Sequence, residues 1–134
     1  MWLSASIARA WSRVRLGQLD TVPGLLEELR PYAGRVVLTG QLPPALGSAD
    51  YFLGLMERAL DRPEAARTYL ASAVHQNERL GARAWLARAL HALADVVGPD
   101  GEGPDGATAD GLRARARQVA DQVDNPLLAA EMQR

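Results

Sequence analysis

Cysteine and lysine are both absent from this chain of 134 residues. Without cysteine the protein can form no disulfide framework, no thiolate metal site and no cysteine nucleophile, which is compatible with a cytoplasmic location. Without lysine it cannot contain the Gly-x-x-x-x-Gly-Lys-Ser/Thr loop that binds nucleotide phosphates. All 15 basic residues are arginine, a usage that we interpret as the mark of a GC-rich genome rather than of a function.

Aromatic residues, net charge and long apolar runs are also scarce. Aromatics make up 5% of the chain and apolar residues 48%, so the core must be built mainly from Ala, Leu and Val. Such small side chains favour closely packed helices, whereas a β-sandwich or barrel would need more β-branched and aromatic residues. A formal net charge of −1 makes nucleic acid an unfavourable partner. No apolar run approaches the roughly 20 residues that a transmembrane helix needs, so we expect no membrane contact.

Apolar residues that recur every three or four positions predict two helices at the start of the chain. The first covers about residues 2–16, and Gly17 ends it. The second begins after Asp20 or Thr21, either of which can cap it, and ends at 31–34.

Residues 35–47 break the helical pattern. Val36, Val37 and Leu38 form a short apolar run that could be a strand. The sequence offers no second run with which this segment could pair, and a lone strand is not stable. We therefore predict an extended connector that packs against the helices.

Three longer helices are predicted after the connector. Ser48 is a good N-cap for the third helix, and Asp61-Arg62-Pro63-Glu64 has the capping-box arrangement for the fourth, which closes near Gly81. The fifth helix covers about residues 82–97.

A sixth helix over about 108–123 follows a segment rich in glycine and proline, residues 98–106. This composition predicts a mobile loop that buries no surface. Asn125-Pro126 has the pattern of an N-cap with proline in the first turn, so a short last helix is predicted over 127–132.

These segments predict one all-α domain over residues 1–134. It consists of helical hairpins at about 2–34, 48–80 and 82–123 and a short helix at 126–133. Short connections favour antiparallel hairpins that stack on one another.

One hairpin resembles a tetratricopeptide repeat. Leu53-Gly54 in its first helix and Ala66, Leu70 and Ala73 in its second match the spacing of that repeat. Small residues are needed there because the two helices cross at short distance. The corresponding slots of the other hairpins hold Arg9-Ala10 and Leu90-His91, so both are degenerate. The resemblance implies a tetratricopeptide-like α-α superhelix of about three hairpins, stacked with a right-handed twist.

A second resemblance covers nearly the whole chain. Three segments, in the same order, are similar to the C-terminal helical-repeat region of actinobacterial LuxR-type regulators and their adenylate-cyclase-fused relatives, which are signal-transduction ATPases. The segments are Leu29-Arg30-Pro31-Tyr32-Ala33-Gly34, Gly47-Ser48-Ala49-Asp50-Tyr51-Phe52-Leu53-Gly54 and Leu80-Gly81-Ala82-Arg83-Ala84-Trp85-Leu86-Ala87-Arg88. This resemblance implies that the chain is a fragment of a larger cytoplasmic regulator. The fragment itself contains neither the ATPase module nor the DNA-binding helix.

The resemblance to tetratricopeptide repeats implies where a partner binds, because the first helix of each pair faces the concave groove in such folds. Aromatic and arginine side chains together are typical of binding hot spots. Alternatively, Trp11 and Trp85 fill gaps in the core and Arg88 pairs with a neighbour on its helix. The groove candidates are Tyr51, Leu55, Arg58, Trp85, Arg88 and Asp95, with Ile7, Trp11 and Arg15 in the equivalent slots of the first pair.

No catalytic, metal-binding or cofactor-binding residue is predicted. His75 and Glu78 could share a helix face, but a metal site needs three or more convergent ligands. His91 falls in a repeat slot that is usually small, so we expect it to pack between helices. Glu27 and Glu28 are adjacent on a helix and point in different directions, so they cannot act as an acid/base pair. We expect no enzyme activity.

The predicted function is protein interaction or signal relay, with a protein, a peptide or neighbouring domains of the same regulator as the partner. Repeat arrays have apolar ends where the next repeat stacks, so self-association through an exposed end is also expected. The alternative is a helical domain that senses a small-molecule inducer. A deep closed cavity between Tyr51, Trp85 and Arg88 would favour the inducer, and an open groove would favour a peptide.

Overall fold

A computed structural model of the chain describes residues 2–38 and 45–134, and in this part of the chain the fold is all-α, as predicted. Helices account for most of these residues, and the only strands described are two short ones. None of the described helices is long and apolar enough to cross a membrane. The elements are α1 (Trp2–Arg15), α2 (Val22–Leu29), β1 (Val36–Leu38), β2 (Ala45–Ser48), α3 (Ala49–Ala59), α4 (Pro63–Leu80), α5 (Arg83–Val97), α6 (Ala109–Asp121) and α7 (Pro126–Glu131).

Local sequence signals set several helix ends. Gly81 ends α4 in the left-handed conformation, with φ of 69°, and its N–H bonds back to the carbonyls of Asn77 and Glu78. Thr108 accepts a hydrogen bond from Gly111 at the start of α6. Such side-chain caps satisfy backbone amides that have no partner inside the helix.

Each of the helices α3 to α6 packs against the next one along the chain, and α1 packs against both α2 and α3. Two or three residues connect α3 to α4 and α4 to α5, so these helices must fold back on one another. The core lies between these helices and consists mainly of Leu and Ala side chains. The right-handed superhelical twist stays a prediction.

Helices α3 and α4 approach closely at Gly54. A Cβ atom added there would lie 2.6 Å from Leu70 Cγ and 3.3 Å from the Leu70 backbone nitrogen. Leu70 is fully buried, as are Ala66 and Ala73 on the same face of α4. The Leu-Gly and Ala-Leu-Ala spacing therefore marks a real close crossing of two helices.

The prediction that the connector contains no paired strand is wrong. Strands β1 and β2 form an antiparallel ladder in which Val36 pairs with Ser48 and Leu38 with Ala45. The second strand is hard to recognise in the sequence because its residues, Ala-Leu-Gly-Ser, have little β-propensity. Contacts with the helices compensate, since Gly47 lies against Trp85 and Asn77. The rest of the predicted connector, residues 39–44, lies outside the described residues.

A buried carboxylate joins this hairpin to the helices. Asp50 is only 3% exposed. It accepts hydrogen bonds from the Gly34 amide at 2.7 Å, the Ser72 hydroxyl at 2.7 Å and the Gln76 side-chain amide at 3.0 Å. Ser48 caps α3, as predicted, by accepting from the Asp50 amide. The start of α3 is thus fixed to α4 and to the segment that follows α2.

Two predictions about helix starts are wrong. Asp61 forms no capping box with Glu64, because it has φ of 57° in the tight turn before α4, and the N-cap position falls to Arg62, which makes no side-chain capping bond. Aspartate tolerates this left-handed conformation better than most residues. Thr21 occupies the N-cap position of α2 but also makes no capping bond with its side chain.

The prediction that residues 98–106 bury no surface is also wrong. Gly101 and Gly103 fold back on the end of α5, where a Cβ at either position would crowd Val97. The Gly103 amide donates to the Ala107 carbonyl at 2.7 Å. Glycine is needed here because the backbone itself approaches the helix.

The close crossing predicts the effect of adding one methyl group at Gly54. We expect Gly54→Ala to destabilise the protein by about 1–2 kcal/mol, because Leu70 must move and its backbone cannot. The matched control is Gly24→Ala in α2, where nothing lies within 4 Å and higher helix propensity predicts a neutral or stabilising change. Urea unfolding followed by circular dichroism measures both, and equal stabilities of the two variants would contradict the close crossing.

The buried carboxylate predicts a larger effect. Asp50→Ala leaves the Gly34 amide and the Ser72 hydroxyl without their acceptor and removes one of the two acceptors of the Gln76 side-chain amide. We therefore expect a loss of about 3 kcal/mol in the free energy of unfolding. Asp100→Ala, at an exposed position, should change it by less than about 0.5 kcal/mol. The same urea unfolding measures both variants, and a loss at Asp50 as small as that at Asp100 would show that the carboxylate does not hold the segments together.

Candidate binding groove

Helices α1, α3 and α5 and the C-terminal residues line one concave surface, which we call the groove. Its volume is about 660 Å³. Aromatic, aliphatic and charged side chains all contribute to it. The lining residues are Trp11, Val14 and Arg15 of α1, Tyr51, Leu55, Arg58 and Ala59 of α3, Trp85, Arg88, His91, Ala92 and Asp95 of α5, and Glu131, Met132 and Arg134.

All six residues selected from the second and third hairpins lie in this groove, and so do Trp11 and Arg15 from the first. Ile7 does not, so that prediction is wrong. It is 2% exposed and belongs to the hydrophobic core. Spacing along α1 could not show that Ile7 is covered by neighbouring helices. That the groove binds a partner stays a prediction.

Other lining residues were not predicted from the sequence. His91 follows Arg88 by three positions on α5, so helical spacing alone could have placed it on the same face. Glu131, Met132 and Arg134 carry no such signal. They reach the groove because α6 and α7 bring the end of the chain back over α5.

Aromatic rings form the floor of the groove. The Trp85 ring centroid lies 5.8 Å from that of Tyr51 and 5.6 Å from that of Phe52, and Trp11 lies 6.3 Å from Phe52. Tyr51 and Phe52 are buried, while Trp11 and Trp85 are partly exposed. The two tryptophans therefore both pack on the core and line the groove, and this packing holds their rings in place.

Arginines lie over these rings. The Arg88 guanidinium is 4.7 Å from the Trp85 ring centroid, and that of Arg15 is 5.1 Å from the centroid of Trp11. Arg88 pairs with Glu131 of α7, through Nε–Oε2 at 2.8 Å and Nη2–Oε1 at 3.2 Å, rather than with a neighbour on its own helix. Both guanidiniums are therefore oriented by a flat apolar surface.

A second charge cluster lies near the C-terminal ends of α3 and α5. Asp95 accepts from Arg58 at 3.3 Å and from Arg113 of α6 at 3.1 Å. These side chains are 31% to 46% exposed, so solvent weakens the ion pairs. Arg58 can exchange this partner for another anion at little cost.

Tyr51 supplies a neutral polar group. Burial raises the pKa of its phenol to about 12, although the positive charge of Arg88 acts in the opposite direction. Within residues 2–38 and 45–134 its hydroxyl makes no hydrogen bond. At neutral pH it remains protonated, and its O–H is available to a ligand.

The other polar candidates lie outside the groove. His75 is exposed on α4, and Glu78 bonds to Arg115 of α6. Glu27 pairs with Arg30 at 2.7 Å, and Glu28 lies 3.7 Å from Arg9. Across the described residues no three His, Asp or Glu side chains are grouped as metal ligands.

The raised pKa predicts a late phenol titration. We expect the absorbance change at 295 nm to include one tyrosine step with a pKa of about 12 that Tyr51→Phe removes. The unfolded chain ionises Tyr51 near pH 10, so the stability from the neutral phenol is complete below pH 10 and is lost as pH rises towards 12. Unfolding at pH 9 and 11 should therefore show a steeper loss in the wild type than in Tyr51→Phe. Parallel losses, or a titration in which all tyrosines ionise near pH 10, would contradict the burial of this phenol.

Comparisons of the chain with family models, with curated proteins and with solved structures found no significant match.

Proposed function

We propose that this chain is a protein-interaction domain whose groove binds a peptide segment of a partner, and that the segment carries carboxylates beside apolar or aromatic residues. The observation that supports this most strongly is the composition of the groove. Four arginines and two carboxylates line it together with two tryptophans and Tyr51. This is the mixture of side chains that dominates protein-binding hot spots.

Charge complementarity favours an acidic segment over a neutral or basic one. Two of the lining arginines, Arg15 and Arg134, make no ion pair with any described residue. A third, Arg58, shares Asp95 with Arg113. A carboxylate that enters the groove gains these partners without first breaking a buried ion pair.

The shape of the site favours a peptide as well. The first helices of three successive hairpins line the groove, and the side chains of Arg58 and Asp95 in it are 46% and 38% exposed. Tyr51 contacts Trp85 directly, so the space between these rings is filled rather than a deep cavity. An extended chain can lie across α1, α3 and α5, as partner segments do in helical-repeat arrays.

The partner belongs, on this proposal, to the same cytoplasmic signalling system. The resemblance to helical-repeat regions of LuxR-type regulators supports a neighbouring domain of a larger regulator as the source of the segment. In that setting the groove relays a signal between domains and catalyses no reaction.

A small-molecule inducer is the second candidate function. Its support is the volume of the groove, about 660 Å³, since ligand pockets usually measure about 300–1,000 Å³. Stabilisation of the chain by a drug-sized compound, together with no peptide binding, would favour the inducer.

The peptide proposal predicts a specific outcome in peptide display. A random peptide library selected on the wild-type chain should yield sequences that combine Asp or Glu with aromatic or aliphatic residues. We expect Arg58→Glu to weaken binding of the selected synthetic peptides at least about tenfold in fluorescence anisotropy, because it places a negative charge in the groove. Arg117→Glu is the matched control, since it makes the same change at an exposed position of α6 outside the groove.

Thermal unfolding of both variants checks that neither loses the fold. Selected peptides that bind the two variants equally well would contradict a role for the groove. A selection that enriches no sequence above background would count against a peptide ligand altogether.

A further inference from the structure

Arg88 and Glu131 form an ion pair with the geometry that arginine uses to bind a carboxylate ligand. Glu131 binds the guanidinium through both carboxylate oxygens, at 2.8 and 3.2 Å, in the bidentate arrangement that arginine uses for carboxylate recognition. The guanidinium lies over the Trp85 ring, 4.7 Å from the ring centroid. The two residues are 43 positions apart in sequence, so only the tertiary fold brings the carboxylate to this place.

We infer that Arg88 and Trp85 form a carboxylate-binding subsite, and that Glu131 occupies it as an internal competitor of the ligand. The inference rests on the proposed function and deepens it, because it assigns the position at which the ligand's carboxylate binds. The ligand class is an acidic side chain or a chain-terminal carboxylate.

The neighbourhood of the subsite is suited to this exchange. The side chain of Arg88 is 22% exposed, so it lies in a partly desolvated position where a charge-assisted bond is stronger than on an open surface. Glu131 is 37% exposed and can turn out into solvent, whereas Arg88 cannot follow it without leaving the Trp85 ring. Tyr51 lies beside the same ring, with its hydroxyl unpaired within the described residues.

Helix α7 itself need not move. Leu128 and Met132, on either side of Glu131, are at most 3% exposed and hold the helix against the core, and Asn125 caps its first turn. A ligand therefore replaces one side chain rather than a helix. The wild-type affinity for a carboxylate is lowered only by the fraction of time that Glu131 occupies Arg88.

The test uses glutarate, which carries the carboxylate of a glutamate side chain, and the indole N–H signal of Trp85 in ¹⁵N–¹H NMR, assigned with Trp85→Phe. We expect Glu131→Ala to bind glutarate at least about tenfold more tightly than the wild type, because the binding-competent fraction rises towards one. Adding Arg88→Ala to that variant should abolish the shift. The uncharged diol 1,5-pentanediol should cause none.

Two further variants separate competition from damage to the fold. Glu131→Gln keeps the length of the side chain and the packing of α7 but removes the negative charge, and we expect it to change affinity in the same direction. Glu102→Ala removes an exposed glutamate outside the groove and should bind glutarate as the wild type does.

The inference is overturned if neither Glu131 variant binds glutarate more tightly than the wild type, or if tighter binding survives Arg88→Ala. Its failure differs from failure of the proposed function. Selected peptides that bind the wild type and all Glu131 variants equally would refute the internal competitor and leave the peptide site intact. Tight glutarate binding by Glu131→Ala without any enriched peptide would support the internal competitor and count against the peptide site.

Discussion

The carboxylate of Asp50 is the contact on which the arrangement of the other elements depends. A carboxyl group that is 3% exposed would be costly to bury without hydrogen-bond partners. The donors come from three separate places: the Gly34 backbone after α2, and Ser72 and Gln76 on α4. Satisfying one carboxylate therefore requires these segments to meet at the first turn of α3. Because Tyr51 is the next residue, the position of the groove floor is fixed by the same contact.

Helix α3 connects the core to the groove because its faces have different neighbours. On one face Gly54 allows α4 to approach until Leu70 fills the space that a side chain would need. On another, Tyr51, Leu55 and Arg58 line the groove. The packing of α3 against α4 thus also orients the groove residues on α3. A substitution at Gly54 would therefore alter both the packing and the groove.

Contacts within the chain balance only part of the charge in the groove, because four arginines and two carboxylates line it. Arg88 is neutralised by Glu131 and Arg58 by Asp95, and each carboxylate reaches its partner from a different helix. Such pairs contribute little to stability where they are half exposed. They do orient the guanidiniums, and that of Arg88 lies 4.7 Å from the Trp85 ring centroid. On the proposed function, the carboxylate of a ligand would exchange with one from the chain itself.

Local pattern in the sequence was enough to predict the helices, and the resemblance to tetratricopeptide repeats then indicated which of their residues line the groove. Helix bounds follow from apolar spacing and from caps such as Ser48 and Thr108, which act within a few residues. Tyr51, Leu55 and Arg58 share a face because they are four and three positions apart on one helix. Only the tertiary structure decided the pairing of β1 with β2, the burial of Ile7 and the position of Glu131 over Arg88. The burial of Ile7 and the position of Glu131 depend on contact between segments far apart in the chain. Strands β1 and β2 are close in sequence, but β2 also packs against distant residues, Asn77 and Trp85. Neither helical spacing nor strand propensity carries information about such contacts.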